Sequence, residues 1–474
     1  MSEPATLRHD ADATTWTRAG YGTALIATAA IGYFLLRLPL DVSENIIAIL
    51  QAHNSLGSLV GVAGTIRPLG WLFFRGVLDA SFGHPFEGFR LLNILSLASI
   101  FVCGVHILRV RTAQAWGVAL LTFMVMIGIH PFHMSVRETA VNHHLIVPCF
   151  LFAAMAIAVS AHRWWSDVLA TLILLGALLL VEAGVLVWVA IAAGWLTGLR
   201  GISWRGVAVC TALLATYLVV YLVLLDAPAT GSRGTGFGFH MMGASEVQAR
   251  FGANPLPLYA YNVMASAMTV LASEPRAGVF GLVYQIVNGS LEAGSMLNVV
   301  TSTLTTAVMI WFVAQRWRAW RALEFTHGDR VFLVGWAVLG ANAVISFSYL
   351  KEIVMTTGAL AYALAVFPAF TLFLERLRRP LTLAGAGFAC ALLAIVSIGW
   401  TTRAALFFVD VQVAAYASQQ GWVTVDEWLA KQQRSPLNDA DRDVVRQWRR
   451  EMLAMPVPRA YLRPSWIADL DSSH

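Results

Sequence analysis

Two carboxylates three positions apart open the chemistry of this chain: Asp41 and Glu44 in Leu38-Pro-Leu-Asp-Val-Ser-Glu44, directly after an apolar run. On a helix that spacing puts both on one face. A carboxylate at a membrane surface can take a proton from an acceptor hydroxyl or bind a divalent cation. The same pattern is also a capping box, with Asp41 as N-cap and Glu44 at the third helical position before Ile46, Ile47, Ile49 and Leu50. The two readings are compatible.

Histidines gather in the same connections, at His53, His84, His130, His133, His143 and His144. His130 and His133 would bind zinc only if a helix brought them to a third ligand. Pro131 between them argues against a regular ligand-bearing helix, so interfacial hydrogen bonding is the expectation. Glu182 stands within an apolar stretch, where an ionisable group marks function by default, unless the chain turns there and leaves it at the surface. Asn342, in Gly340-Ala-Asn342, reads as a helix-packing residue. The run Gly231-Ser-Arg-Gly-Thr-Gly-Phe-Gly-Phe239 lacks the Lys-Ser/Thr ending of a phosphate-binding loop and reads as a mobile loop that orders on ligand.

The elements that position these groups follow from composition. Of 474 residues 58% are hydrophobic and 12% charged, and mean hydropathy is +0.66, far from an ordinary soluble domain. Backbone in lipid must satisfy its own hydrogen bonds, so apolar runs of near-spanning length are helices, and the alternation of a β-barrel is absent. The expected fold is all-α: a polytopic bundle of about eleven spans, with outer-face interface helices and a short C-terminal helical appendage. The spans fall near 21–37, 88–108, 113–130, 144–161, 167–182, 183–199, 206–225, 295–315, 331–349, 353–374 and 381–402. The N-terminal run passes a weak signal-peptidase-like Ala27-Thr28-Ala29 but continues to Leu36, so an uncleaved anchor is expected.

One face then collects Arg8, Arg18, Arg109, Arg111, Arg163, Arg200, Arg205, Arg316, Arg318, Arg321, Arg376, Arg378 and Arg379. By the positive-inside rule this face is cytoplasmic, as is the N-terminus; the expected location is a bacterial plasma membrane. Residues 167–199 are read as a hairpin, because a single crossing would invert the later arginine clusters. The membrane domain is 1–402, with a first outer loop at 38–87 and a large one at 226–294, followed by a non-cytoplasmic tail at 403–474. Trp71–Leu78 and Tyr259–Leu271 have the character of interface helices. In the tail, Thr424 and Glu427 have capping-box spacing, and a second helix starts near Asp439. The net charge of +5 is scattered through short loops, which excludes a nucleic-acid binder, and the four cysteines lie in apolar runs with neither a disulfide framework nor a metal motif.

With these elements in order, the chain resembles the GT-C superfamily of polyprenyl-phosphate-sugar-dependent glycosyltransferases, which includes protein mannosyltransferases and aminoarabinose transferases. Asp41 and Glu44, Arg67-Pro68-Leu69, and Phe89-Arg90-Leu91-Leu92-Asn93 match that group's acidic first-loop motif, interface-helix start and entry to the second span, in order and rough spacing. Glu182 corresponds to a Ser-Lys-Glu pattern whose lysine is Val181 here. His143-His144 stands where the group often has an arginine. The resemblance spans roughly residues 20–230 in motif order and the rest in topology alone.

The resemblance implies Asp41 as base or acceptor-orienting carboxylate, assisted by Glu44 directly or through a divalent cation. Outer-face cations suited to the donor phosphate are Arg67, Arg137, Arg276 and Lys351, while Arg90, His143 and Glu182 support the site. Lys351 also fits a snorkelling lysine paired with Glu352, and Arg137 a local pair with Glu138. The expected activity is transfer of a sugar from a polyprenyl-phosphate donor to a glycan, lipid or protein acceptor at the periplasmic face. The rival classes are a secondary transporter or lipid-linked substrate flippase, and a catalytically silent scaffold of the same fold. A transporter would show repeated halves and midplane charges, and neither is evident.

Overall fold

The computed structural model describes residues 5–42, 46, 77, 85–138, 142–220, 233–235, 239–241, 248–249, 252, 254–273, 279–347, 352–378, 382–431 and 439–457. It is almost wholly helical. The helices are α1 (Ala5–Leu35), α2 (Pro85–Leu108), α3 (Ala113–Gly128), α4 (His130–Arg137), α5 (His143–Val159), α6 (Trp164–Leu180), α7 (Val185–Thr197) and α8 (Trp204–Val219). They continue as α9 (Leu256–Leu271), α10 (Val279–Val287), α11 (Ala293–Arg321), α12 (His327–Ile345), α13 (Thr356–Leu377), α14 (Leu383–Val423), α15 (Val425–Lys431) and α16 (Asp439–Ala454). Single 3₁₀ turns at Glu182–Gly184 and Glu352–Met355 precede α7 and α13. Within the glycine-rich segment, Arg233–Thr235 pairs antiparallel with Phe239–Met241, the sole strand pairing among the described residues.

Each expected span falls on a helix. Five of the described helices are long and apolar enough to cross a bilayer, six if α3 and α4 count as one bent span. The other apolar helices have 10–17 residues. At about 1.5 Å per residue the longest of these rise only ~26 Å, short of a ~30 Å hydrocarbon core.

Local chemistry sets the helix starts. Thr112, Asn142, Ser203 and Thr382 accept hydrogen bonds from backbone N–H groups in the first turns of α3, α5, α8 and α14. Thr326 and Asp329 form a reciprocal capping box on α12. Between them the helices are apolar, and α13, almost wholly buried, is enclosed by α12, α3, α11 and α5.

Contacts between helix ends fix the up-and-down course. At the arginine-rich end, Thr17 Oγ1 donates to the Val110 carbonyl, Arg109 to that of Val159, and Gln114 to that of Thr371. There too the Ser203 N–H and hydroxyl donate to Asp167, and Arg316 grips Asp329 in a bidentate pair. Asp167 and Ser203 thus lie together although α6 and α7 run between them, so 167–199 is a hairpin. Its tip is tight enough that a Cβ on Gly184 would collide with the Ala177 carbonyl. Glu182 consequently occupies the turn, at the end opposite the arginines.

The last span does not stop near 402. α14 is one helix of 41 residues, about 60 Å long, so the expected boundary at 402/403 falls in mid-helix. The two tail helices appear where expected, as α15 and α16. Tyr259–Leu271 lies in α9; Trp71–Leu78 lies outside the described residues apart from Val77.

Candidate functional site

α4 is the organising element. α3 ends at Gly128, Ile129 is extended, and the next helix leaves at 59° to the first. Pro131 sits in the first turn of α4, where its missing N–H breaks no intrahelical bond. This corrects the sequence expectation: the proline starts a regular helix instead of preventing one. His130 and His133 therefore share a face, with ring centroids 6.2 Å apart.

α4 meets four other parts of the chain. A ring nitrogen of His130 lies 2.6 Å from Glu352 Oε2 in the 3₁₀ turn before α13, and Thr356 Oγ1 donates to the Pro131 carbonyl at 2.9 Å. His133 Nδ1 is 3.2 Å from Asp410 Oδ2 on α14, and Arg137 comes within 3.7 Å of the same oxygen. Asn142 Nδ2 donates to the carbonyls of Ser135 and Glu138, closing the end of α4 onto the start of α5. Asn93 of α2 donates weakly to the Glu138 carbonyl at 3.5 Å, and the Glu138 carboxylate is 3.8 Å from His144. The His143 ring packs on His144 with centroids 4.1 Å apart. One short helix thus gathers carboxylates, imidazoles and a guanidinium from four elements.

A second construction holds Asp41. Arg90, almost wholly buried in α2, donates through Nε and Nη2 to the Leu38 carbonyl at 3.2 and 2.8 Å. Trp422 Nε1 donates to the Leu40 carbonyl at 2.6 Å, and the Leu40 N–H points at Met452 Sδ. Phe86, Phe89, Trp448 and Val425 complete a small apolar core around Leu40. The segment entering Asp41 is therefore gripped by α2, the far end of α14, and α16. Asp41 itself is exposed, yet the loss of water around its carboxyl raises the pKa above the usual carboxylate value, against the opposing effect of the Val42 N–H hydrogen bond.

Arg403, buried in α14, joins these regions to the bundle. Its guanidinium donates to the carbonyls of Gly128 and Asn298 and to the hydroxyls of Thr301, Ser302 and Ser273, and it stacks on Trp400 at 3.9 Å. Every nitrogen is used, which makes it a brace between α3, α11 and α14 and not a ligand cation.

Of the residues marked by sequence, Arg90 is bound to the segment that leads into Asp41. Arg137 stands 3.7 Å from Asp410 Oδ2. His143 lies beside the Glu138–His144 contact, and Asn342 ties α12 to α13 through the Val354 carbonyl and the Gly358 N–H. Glu44, Arg67, Arg276 and Lys351, with His53 and His84, lie outside the described residues. Among those described no cluster of three or more His, Cys, Asp or Glu forms a metal site; His130 and His133 reach separate carboxylates. Asp410 and Arg403 were missed. Each is a lone charge in an apolar run, a recognisable signal, but both fell beyond the assumed end of the last span.

Asp41 lines neither of two cavities formed by described residues. One, about 310 Å³, lies at the arginine-rich end between Ile107, Phe312, Arg316, His327 and Glu375. The other, about 360 Å³, is an apolar groove between α11 and α14, lined by Met296, Val300, Thr301, Ile395, Ile398 and Gly399. Exposed apolar side chains on both helices border it, and it ends beside the Arg403 brace.

The fold and its apolar helices define the class: a helical integral membrane protein. No protein-family model, curated protein or solved structure matches the chain.

Proposed function

We propose that the protein is a GT-C-like membrane glycosyltransferase of about eleven spans, which moves a sugar from a polyprenyl-phosphate donor to a glycan, lipid or protein acceptor at the periplasmic face. The arginine-rich end is then cytoplasmic and the membrane is a bacterial plasma membrane. The observation that carries the reading is the grip of Arg90 on the Leu38 carbonyl. It joins two segments that the resemblance pairs by order alone, Leu38–Asp41 and Phe89–Asn93. Asn93, one turn beyond Arg90, leads through the Glu138 carbonyl to the α4 cluster.

In this reading Asp41 removes the acceptor proton as the sugar–phosphate bond breaks. A raised pKa suits that role, since a base is most effective when its pKa approaches the working pH. Cations of the outer loops balance the leaving phosphate, with Arg67, Arg276 and Lys351 as the proposed donors. Arg137 is assigned instead to orienting Asp410 and the α4 face. The groove between the start of α11 and the middle of α14 offers an apolar bed for an isoprenoid chain.

The test is mass spectrometry of lipid-linked and envelope glycans in cells with and without the gene. A glycan short by one sugar in the deletion strain, restored by the wild-type gene, is the expected result. An unchanged glycan profile would move the assignment to transport or to a scaffold.

A further inference from the structure

The arginine-rich end contains a cationic cluster that the transferase reading does not use. Its parts are brought together by local geometry. His327 at the start of α12 hydrogen-bonds the Ile107 carbonyl at 2.7 Å, placing the first turn of α12 against the end of α2. Arg330 follows one turn later, and Arg109 and Arg111 follow Ile107. Arg109 takes a left-handed backbone conformation with φ of 52° and donates to the Val159 carbonyl at the end of α5. The Arg330 guanidinium lies flat on Gly198, the left-handed cap of α7, where a Cβ would stand 3.3 Å from Cζ. The Arg109 and Arg330 guanidinium groups thus lie at the carbonyl ends of α5 and α7, whose partial negative charge favours them there, and Arg111 follows two residues after Arg109.

Their charge is not answered by a carboxylate among the described residues. Arg316 is neutralised by Asp329, and Asp167 is occupied by Ser203. Among the described residues Arg109, Arg111 and Arg330 have no such partner, and Nε of Arg330 is buried with no acceptor. Burial first, then the charges of Arg111 and Arg330, hold the pKa of Arg109 below its ordinary value, as expected of cations kept close without an anion. Helix-end carbonyls steady the group but leave guanidinium donors unused among the described residues. Nearby Trp164 and Trp204, both exposed, have the character of interfacial anchors.

We infer that Arg109, Arg111 and Arg330 form a binding site for the phosphodiester of an anionic phospholipid in the leaflet at the arginine-rich face. A phosphodiester supplies the missing negative charge and accepts from several guanidinium groups at once. Its glycerol and acyl chains remain at the depth where α2 and α12 enter lipid. The inference is independent of the transferase reading: it concerns the opposite end of the molecule.

The test uses the full chain in nanodiscs containing phosphatidylcholine and phosphatidylglycerol, extracted into mild detergent for native mass spectrometry. Wild type is expected to keep phosphatidylglycerol in preference to phosphatidylcholine. The preference should fall about five-fold for each arginine removed, in Arg111→Gln and in Arg111→Gln/Arg330→Gln. Arg330→Lys, which keeps the charge, should retain most of it. Arg111 is exposed, so its variant tests the site without disturbing the packing. Equal retention of phosphatidylglycerol by wild type and the double variant would overturn the site. Thermal stabilisation of wild type by inorganic phosphate, without selective lipid retention, would instead reassign it to a soluble phosphate.

Discussion

Arg90 shows how one side chain can serve both fold and chemistry. Its charge is almost wholly withdrawn from water, and two of its nitrogens are spent on one backbone oxygen, that of Leu38. Arg90→Ala is expected to leave that carbonyl unsatisfied and to destabilise the protein by roughly 2 to 3 kcal/mol, read as a lower unfolding midpoint in detergent. Asp41 behaves differently. Its pKa is raised, so its contribution to stability is present at low pH and is lost as pH rises through the folded value. Activity that needs the ionised base has the opposite sign and appears over that same rise. The acid limb of the transfer rate against pH should therefore lie above the ~4 of an ordinary aspartate. A limb at or below that value would remove Asp41 as the base.

At the scale of elements, α4 is held by side chains more than by its own length, since eight residues make a poor helix alone. Double substitution of His133 and Asp410 is expected to show a coupling of about 1 to 2 kcal/mol in a mutant cycle followed by unfolding. Strict additivity would mean that their contact does not hold α4. The apolar runs that became α2, α3, α5 and α11 to α14 were plain in the sequence because hydrophobicity and length alone specify them. The hairpin at Glu182 was legible from charge placement. α4 is not, because Pro131 reads as a breaker from sequence alone, and the same residue in a first turn is a helix starter. The α4 site was half legible: the histidines and Arg137 stood out, whereas Asp410 and Glu352 reach α4 only through tertiary packing that no local pattern announces.

For the whole molecule, the continuity of α14 has the largest consequence. It carries Trp400 and Arg403 in the bundle, Phe407 and Asp410 beside α4, and Trp422 against Leu40. The chain beyond 402 is thus the far half of a member that supports Asp41. A chain ending at Thr402 would lose the Arg403 brace, the Asp410 contacts and the small core around Leu40 together. Its expression as an aggregated, protease-sensitive product is expected, whereas an independent appendage would leave a monodisperse membrane domain on size-exclusion chromatography. A plain reading of composition gave a membrane domain and a tail, because hydropathy falls after 402; the structure unites them, because a helix persists wherever its buried face continues.

The proposed transfer rests on Asp41, and purified protein supplied with a polyprenyl-phosphate sugar and envelope acceptors tests it most directly. Wild type should release polyprenyl phosphate and extend the acceptor. Asp41→Asn, with an unfolding temperature no lower than wild type, should release none above background. Turnover of Asp41→Asn at the wild-type rate would contradict the account.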